Sequence, residues 1–217
     1  MAVGVSVSLV GCGTETKTEP TTSAPTTTAP TTTSAAAERP NITGPHKTIN
    51  DYITENKIAE TPFKPDDPGT PDFDFPFPPD WSSAGDKTPA WAYGAIVYDK
   101  PADPADPPAI IAIASKLAGD VDAAEILEYA PGMSQNLPDY KSVMDPEKST
   151  LGGFEAIRSA GTYTHNGEVR VIAQKTVVIP GNDALFVLQL NADAPEGQKD
   201  VVIDAAKIID EQTKITP

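Results

Sequence analysis

Few residues able to do covalent or metal chemistry are present, and they are scattered. The chain holds one cysteine, Cys12, and two histidines, His46 and His165. His165 stands beside an Asn-Gly pair, where an exposed turn is expected, and His46 borders a low-complexity stretch. Neither has metal-ligand spacing. There is no Gly-x-Ser-x-Gly elbow, and the glycines of Leu151–Gly161 lack both the spacing and the lysine of a phosphate loop. Asp66, Asp67, Asp72 and Asp74 cluster without the Asp-x-Asp-x-Asp-Gly order of a calcium loop, so a solvated acidic face is expected. With 31 acids in the chain, no single carboxylate pair stands out for glycoside cleavage. No metal and no cofactor are expected. Trp81 and Trp91 are the candidate pocket residues, since indoles suit sites with one wet edge, with core packing the commoner role for each.

Cys12 has a more telling context. Residues 1–10 read MAVGVSVSLV, and the tetrad Leu9-Val10-Gly11-Cys12 resembles a bacterial lipobox. That resemblance implies diacylglycerol on the thiol, cleavage before Cys12 and acylation of the new N-terminus, with chains such as palmitate. Eleven residues precede Cys12 and none is Lys or Arg, so residues 1–11 read as a shortened signal segment. The apolar run falls short of the ~20 residues a membrane span takes. From Gly13 to Pro45 there are twelve Thr, five Pro, no aromatic residue and one large aliphatic, Ile42. Such a stretch cannot bury enough apolar surface to offset its ordering entropy. Residues 12–45 therefore read as a lipidated cysteine and a disordered tether with a reach of at most about 100 Å at ~3.1 Å per residue. Two or more acyl chains suffice for stable anchoring.

Residues 46–217 remain for one folded domain. The net charge is −15, and the tether carries −1 of it, from three Glu against Lys17 and Arg39. Nucleic acid is not an expected partner, because phosphate neutralisation needs Lys and Arg. Electrostatic docking on anionic lipid is disfavoured for the same reason.

Ile49, Tyr52 and Ile53 give a helical stripe within residues 46–58. Phe73, Phe75 and Phe77 alternate with polar or proline positions and predict a half-buried strand, which Pro76 should confine to an edge or end early. Strands are expected at Ala92–Asp99 and at Ala109–Leu117, the latter apolar on both faces and so central. Asp120 is expected to cap a helix over Val121–Ala130 that Pro131-Gly132 ends. Strands follow near Tyr140–Met144 and Phe154–Thr164, and Asn166-Gly167 suits a type I′ turn into Glu168–Ile179. A turn at Pro180–Asp183 leads into another strand, and Val202, Ala205, Ala206 and Ile209 mark a final helix. Strands joined by tight turns predict an α+β fold, a mostly antiparallel sheet with helices packed on it.

The lipobox-like tetrad, the Thr/Pro tether, the Phe-x-Phe-Pro-x-Pro-x-Asp-Trp segment (Phe73–Trp81) and the closing amphipathic helix together resemble the mycobacterial LpqN/LpqT lipoproteins. The similarity runs the length of the chain. It implies a Mog1/PsbP-like antiparallel sheet sandwiched by helices, and a protein exported to the outer face of the cell membrane and held there by lipid. It also implies association with envelope lipids, their transporters or partner proteins, and it supplies no catalytic residue set. The leading expectation is a non-enzymatic envelope lipoprotein that binds an acylated envelope lipid or a transporter protein. The alternatives are an envelope hydrolase or transferase using carboxylates, and a structural spacer.

Overall fold

The computed structural model describes residues 39–217. The signal segment, Cys12 and the tether as far as residue 38 lie outside the described residues. Residues 39–45, which composition places in the tether, lie against the domain.

Helix α1 (Ile49–Glu55) starts where Thr48 and Asp51 form a capping box, the Thr48 side chain accepting from Asp51 N–H and the Asp51 carboxylate accepting from Thr48 N–H at 2.9 Å. It buries Tyr52 and Ile53, as their spacing predicts. Five strands follow: β1 (Ala59–Pro62), β2 (Asp72–Asp74), β3 (Trp81–Ser83), β4 (Gly94–Tyr98) and β5 (Ala109–Ala118). Two short helices, α2 (Ala123–Tyr129) and α3 (Gly132–Gln135), precede four long strands, β6 (Lys141–Leu151), β7 (Phe154–His165), β8 (Glu168–Pro180) and β9 (Leu185–Pro195). The chain ends in α4 (Lys199–Gln212) and β10 (Lys214–Thr216).

The main sheet has eight strands, with the order β3-β4-β5-β9-β8-β7-β6 and β1 on the free half of β5. Strand β4 pairs with Ala109–Ala112 of β5, and β1 pairs with Ser115–Ala118 along the same edge. All ladders are antiparallel. This is the predicted α+β architecture, with β5 central. Asn166 and Gly167 both have positive φ, 52° and 83°, and close the β7–β8 hairpin with His165 opposite Glu168. Their left-handed backbone is what the Asn-Gly signal requires. At the far edge, β6 tolerates Pro146 because that side pairs with no other strand among the described residues, and two register shifts break its ladder with β7.

Alternation along the strands sends side chains to two cores. Val177, Ile179, Leu188 and Leu190 pack beneath Val202, Ala205 and Ile209 of α4. Val178 and Val187 pack on the other face against Tyr52, Ile53 and Ile126 of α1 and α2. Helices thus cover both faces of one sheet.

Several local expectations change. The Phe73 strand ends at Asp74, and β2 pairs with β10 rather than with the main sheet. Phe73 is buried, but Phe77, beyond Pro76, is 62% exposed. Asp122, not Asp120, caps α2, its carboxylate accepting from Ala124 N–H at 2.7 Å. Helix α2 ends ahead of Pro131-Gly132 as expected, but a separate short helix, α3, starts at once, because the Pro131 φ of −69° suits the residue just before a helix. Strands β1, β3 and β10 have three or four residues each, too few for a two-residue period to register.

Candidate functional site

Each face of the sheet carries a recess, and the two are built differently. On the α4 face, Ala160 of β7 stands opposite Ala173 of β8, which stands opposite Ala192 of β9. This row of methyl groups leaves the sheet surface low where its neighbours carry larger side chains. The helix above cannot sink to fill the space, since Lys175 and Asp210 fix its spacing. Lys175 is buried, and its Nζ lies 2.6 Å from Asp210 Oδ2 and donates to the Thr150 carbonyl at 3.3 Å. The result is an open, mostly apolar groove of about 660 Å³. Val143 and Ile203, 71% and 56% exposed, line it. Val169, 47% exposed, lies two residues before the groove-lining Val171 on the same strand face. These are three of the four large hydrophobic side chains that the described residues leave exposed.

On the opposite face a trough runs between the sheet and the helices α1 and α3. Ile111 and Ile113 of β5, Ile172 of β8, and Gln189 and Asn191 of β9 form its floor. It holds cavities of about 590 and 320 Å³. Arg39, Pro40, Ile42, Trp91 and Met133 line both cavities. The Arg39 guanidinium pairs with Glu60, whose carboxylate also accepts from Ser115 Oγ at 2.7 Å.

A polar network closes one end of the trough. Asp193 accepts from the Tyr163 hydroxyl at 2.7 Å and from Arg170 Nε at 2.8 Å, and Arg170 also pairs with Asp106. Burial, and then the bond to Asp193, pushes the Tyr163 phenol well above its ordinary range. Burial opposes the Arg170 charge, but Asp193 and Asp106 outweigh it and keep the guanidinium ionised. The phenol thus stays protonated and donating, and the network ties β7, β8, β9 and the loop before β5 together. Both carboxylates lining the trough, Glu60 and Asp193, are paired with arginine.

The pocket candidates part company. Trp91 is half-buried and lines both trough cavities. Trp81 is only 6% exposed and packs on Tyr98 at a 5.7 Å ring-centroid distance, which makes it a core residue. Cys12 lies outside the described residues. His165 ends β7 in the open, and His46 is held through its backbone, donating to Asn136 Oδ1 at 3.0 Å and accepting from Asn136 Nδ2 at 2.8 Å. Asp67 and Asp74 have local partners, the Lys64 backbone N–H and Lys214. Among the described residues no group of His, Cys, Asp or Glu is placed to hold a metal ion, and no helix is long and apolar enough to cross a membrane. The alanine row escapes sequence reasoning. Alanines at alternate strand positions are its only signal, and they become a floor only once the register is known.

An antiparallel sheet covered by helices on both faces, with an apolar recess on each, defines an α+β domain without an assembled catalytic constellation among its described residues. The chain belongs to the LpqN lipoprotein family, whose description, "Probable lipoprotein LpqN", matches residues 45–216. It is 51% identical to lipoprotein LpqN of Mycobacterium tuberculosis (strain ATCC 25618 / H37Rv), over 99% of this chain and 96% of that protein. A crystal structure of LpqN involved in cell envelope biogenesis of Mycobacterium tuberculosis superposes with a TM-score of 0.76 at 52% identity, covering 80% of this chain and all of that one.

Proposed function

We propose that this domain is a non-enzymatic component of cell envelope biogenesis that holds the acyl chain of an envelope lipid in the groove beneath α4. The carrying observation is that groove. Two exposed large hydrophobic side chains, Val143 and Ile203, line one recess whose floor is a row of alanines, and a third, Val169, lies next to it along β8. Solvent-exposed apolar residues normally scatter, and a cluster around a cleft marks a binding surface. At about 660 Å³ the groove falls within the ~300–1,000 Å³ of ligand sites. Burying a chain there contributes roughly 0.8 kcal/mol per methylene before ordering costs. The involvement of the Mycobacterium tuberculosis relative in envelope biogenesis supports the same role here. Cys12, acylated, holds the domain to the outer face of the cell membrane.

Isothermal titration with a dodecyl-chain glycolipid and with its free sugar tests this reading. The glycolipid binds with little salt dependence and the sugar does not. Ala173→Phe, which fills the floor of the groove, lowers glycolipid affinity at least about tenfold while leaving the fold intact. Equal binding by Ala173→Phe, or equal binding of the free sugar, removes the groove as the site. Cys12→Ala, expressed in an actinobacterium, moves the protein from the membrane fraction to the soluble one. An unchanged detergent-phase partition rules out the anchor.

A further inference from the structure

The trough on the α1/α3 face is crossed by the chain's own residues. Arg39, Pro40 and Ile42 line both of its cavities, so the segment lies as a partition across one depression. Its two ends are held very differently. At the C-terminal end, Asn136 clasps the His46 backbone with two hydrogen bonds, and a Cβ on Gly44 would stand 2.4 Å from Asn136 Oδ1. Next to this, a Cβ on Gly132 would stand 2.0 Å from the Lys47 carbonyl, so α3 and residue 47 are in close backbone contact. That end is a fixed hinge. At the N-terminal end the polar tie among the described residues is the Arg39–Glu60 ion pair, with side chains 28% and 19% exposed. That end thus hangs on one side-chain ion pair, whereas the other is clasped through its backbone.

We propose that Arg39–Ile42 is a displaceable cover over a second binding site, one that takes an apolar chain, and that the Arg39–Glu60 pair is its latch. The site's chemistry is set by Ile49, Ile53, Ile111, Ile113, Met133 and Trp91. The cover presents Pro40 and Ile42 to these residues and occupies the middle of the trough, leaving space on either side. Swinging it out about the hinge at Gly44–His46 joins the two cavities without breaking any strand pairing. A ligand competes with the cover, so its apparent affinity is reduced by the fraction of molecules that are closed. The cover is continuous with the segment that leads back to Cys12, so opening of the site is coupled to how that segment is held. This proposal concerns the opposite face from the α4 groove and does not rest on it.

The test uses the full chain carrying Ala173→Phe, so that the α4 groove is filled, and the neutral fluorophore N-phenyl-1-naphthylamine as probe. Arg39→Ala and Glu60→Gln cut the latch from its two sides. Each tightens probe binding about fivefold, and addition of Ile111→Trp, which fills the trough, cancels the gain. In the protein with an intact latch, saturating probe speeds amide hydrogen exchange at Asn41 and Ile42 and leaves His46, held by Asn136, unchanged. Unchanged affinity in both latch variants, a gain that survives Ile111→Trp, or exchange at Asn41 and Ile42 that ignores the probe overturns the cover. Failure of the α4 groove reading appears separately, as equal glycolipid binding with and without Ala173→Phe.

Discussion

The two faces of the sheet solve one packing problem in different ways. The face beneath α1 and α2 carries its own cover. Ile126 is fully buried, the Tyr52 hydroxyl accepts from Asp122 N–H at 2.9 Å to tie the two helices, and residues 39–42 lie over the remaining trough. The face beneath α4 is left open along the alanine row, because one helix pinned through Asp210 cannot cover strands β6 to β9 by itself. The difference shows that burial here follows the number of elements available on each side more than the hydrophobicity of the strands. Strand β8 puts valine or isoleucine on both faces at Val177, Val178 and Ile179. Val178 is closed over by α1 and α2, and Val177 and Ile179 are closed over on the α4 side, which opens only toward Ala173 and Val169.

Mutations that probe closure should separate the faces. The largest effect is expected at Ile126→Ala, which empties a fully buried position in the closed face and costs about 2–5 kcal/mol of unfolding free energy in a denaturant titration. A loss below about 1 kcal/mol would mean that this face is no better packed than the open one.

A smaller effect is expected at Asp51→Asn, which breaks the capping box of α1 and costs about 1 kcal/mol. Its pH signature is specific. The hydrogen bond from the Thr48 side chain, and then the one from its backbone, hold the Asp51 carboxyl below its ordinary value. An unfolded Asp titrates near 3.9, so this contribution is fully present above about pH 4. It is lost as pH falls through the lower folded value. Melting temperatures from pH 6 down to 2 should therefore converge between wild type and variant at the acid end. A constant difference would show that the box does not act through charge.

The smallest effect on stability is expected at Ile203→Ser, within about 0.5 kcal/mol, because that side chain is 56% exposed. The same change should weaken dodecyl-glycolipid binding severalfold in the titration described above. A large stability loss would mean that α4 already closes its face, and the comparison between the two sides would fail.

Local signals carried far along this chain. The Asn166-Gly167 turn, the stripe of α1 and the stripe of α4 were legible because each depends on residues a few positions apart. Strand β5 was legible as central because both of its faces are apolar. Where the signal was local but another constraint was stronger, the reading shifted. Pro76 cut the Phe73 strand short and left Phe77 in solvent. The capping role passed from Asp120 to Asp122, because helix packing through Ile126 sets where the first turn begins.

What the amino-acid order determined by itself was the class of fold, the low-complexity composition up to the domain, and the scarcity of groups able to catalyse, since these follow from short-range pattern and composition. Tertiary structure alone decided which tryptophan lies at a recess. Trp81 and Trp91 are alike as sequence, but one pairs into the main sheet through β3 and is packed against Tyr98, while the other sits on the loop before β4 facing the trough. It also decided that Ala160, Ala173 and Ala192 form one floor. Those three residues come from three strands, and only the antiparallel register, in which a slip of one residue turns every side chain to the other face, brings their missing volume together.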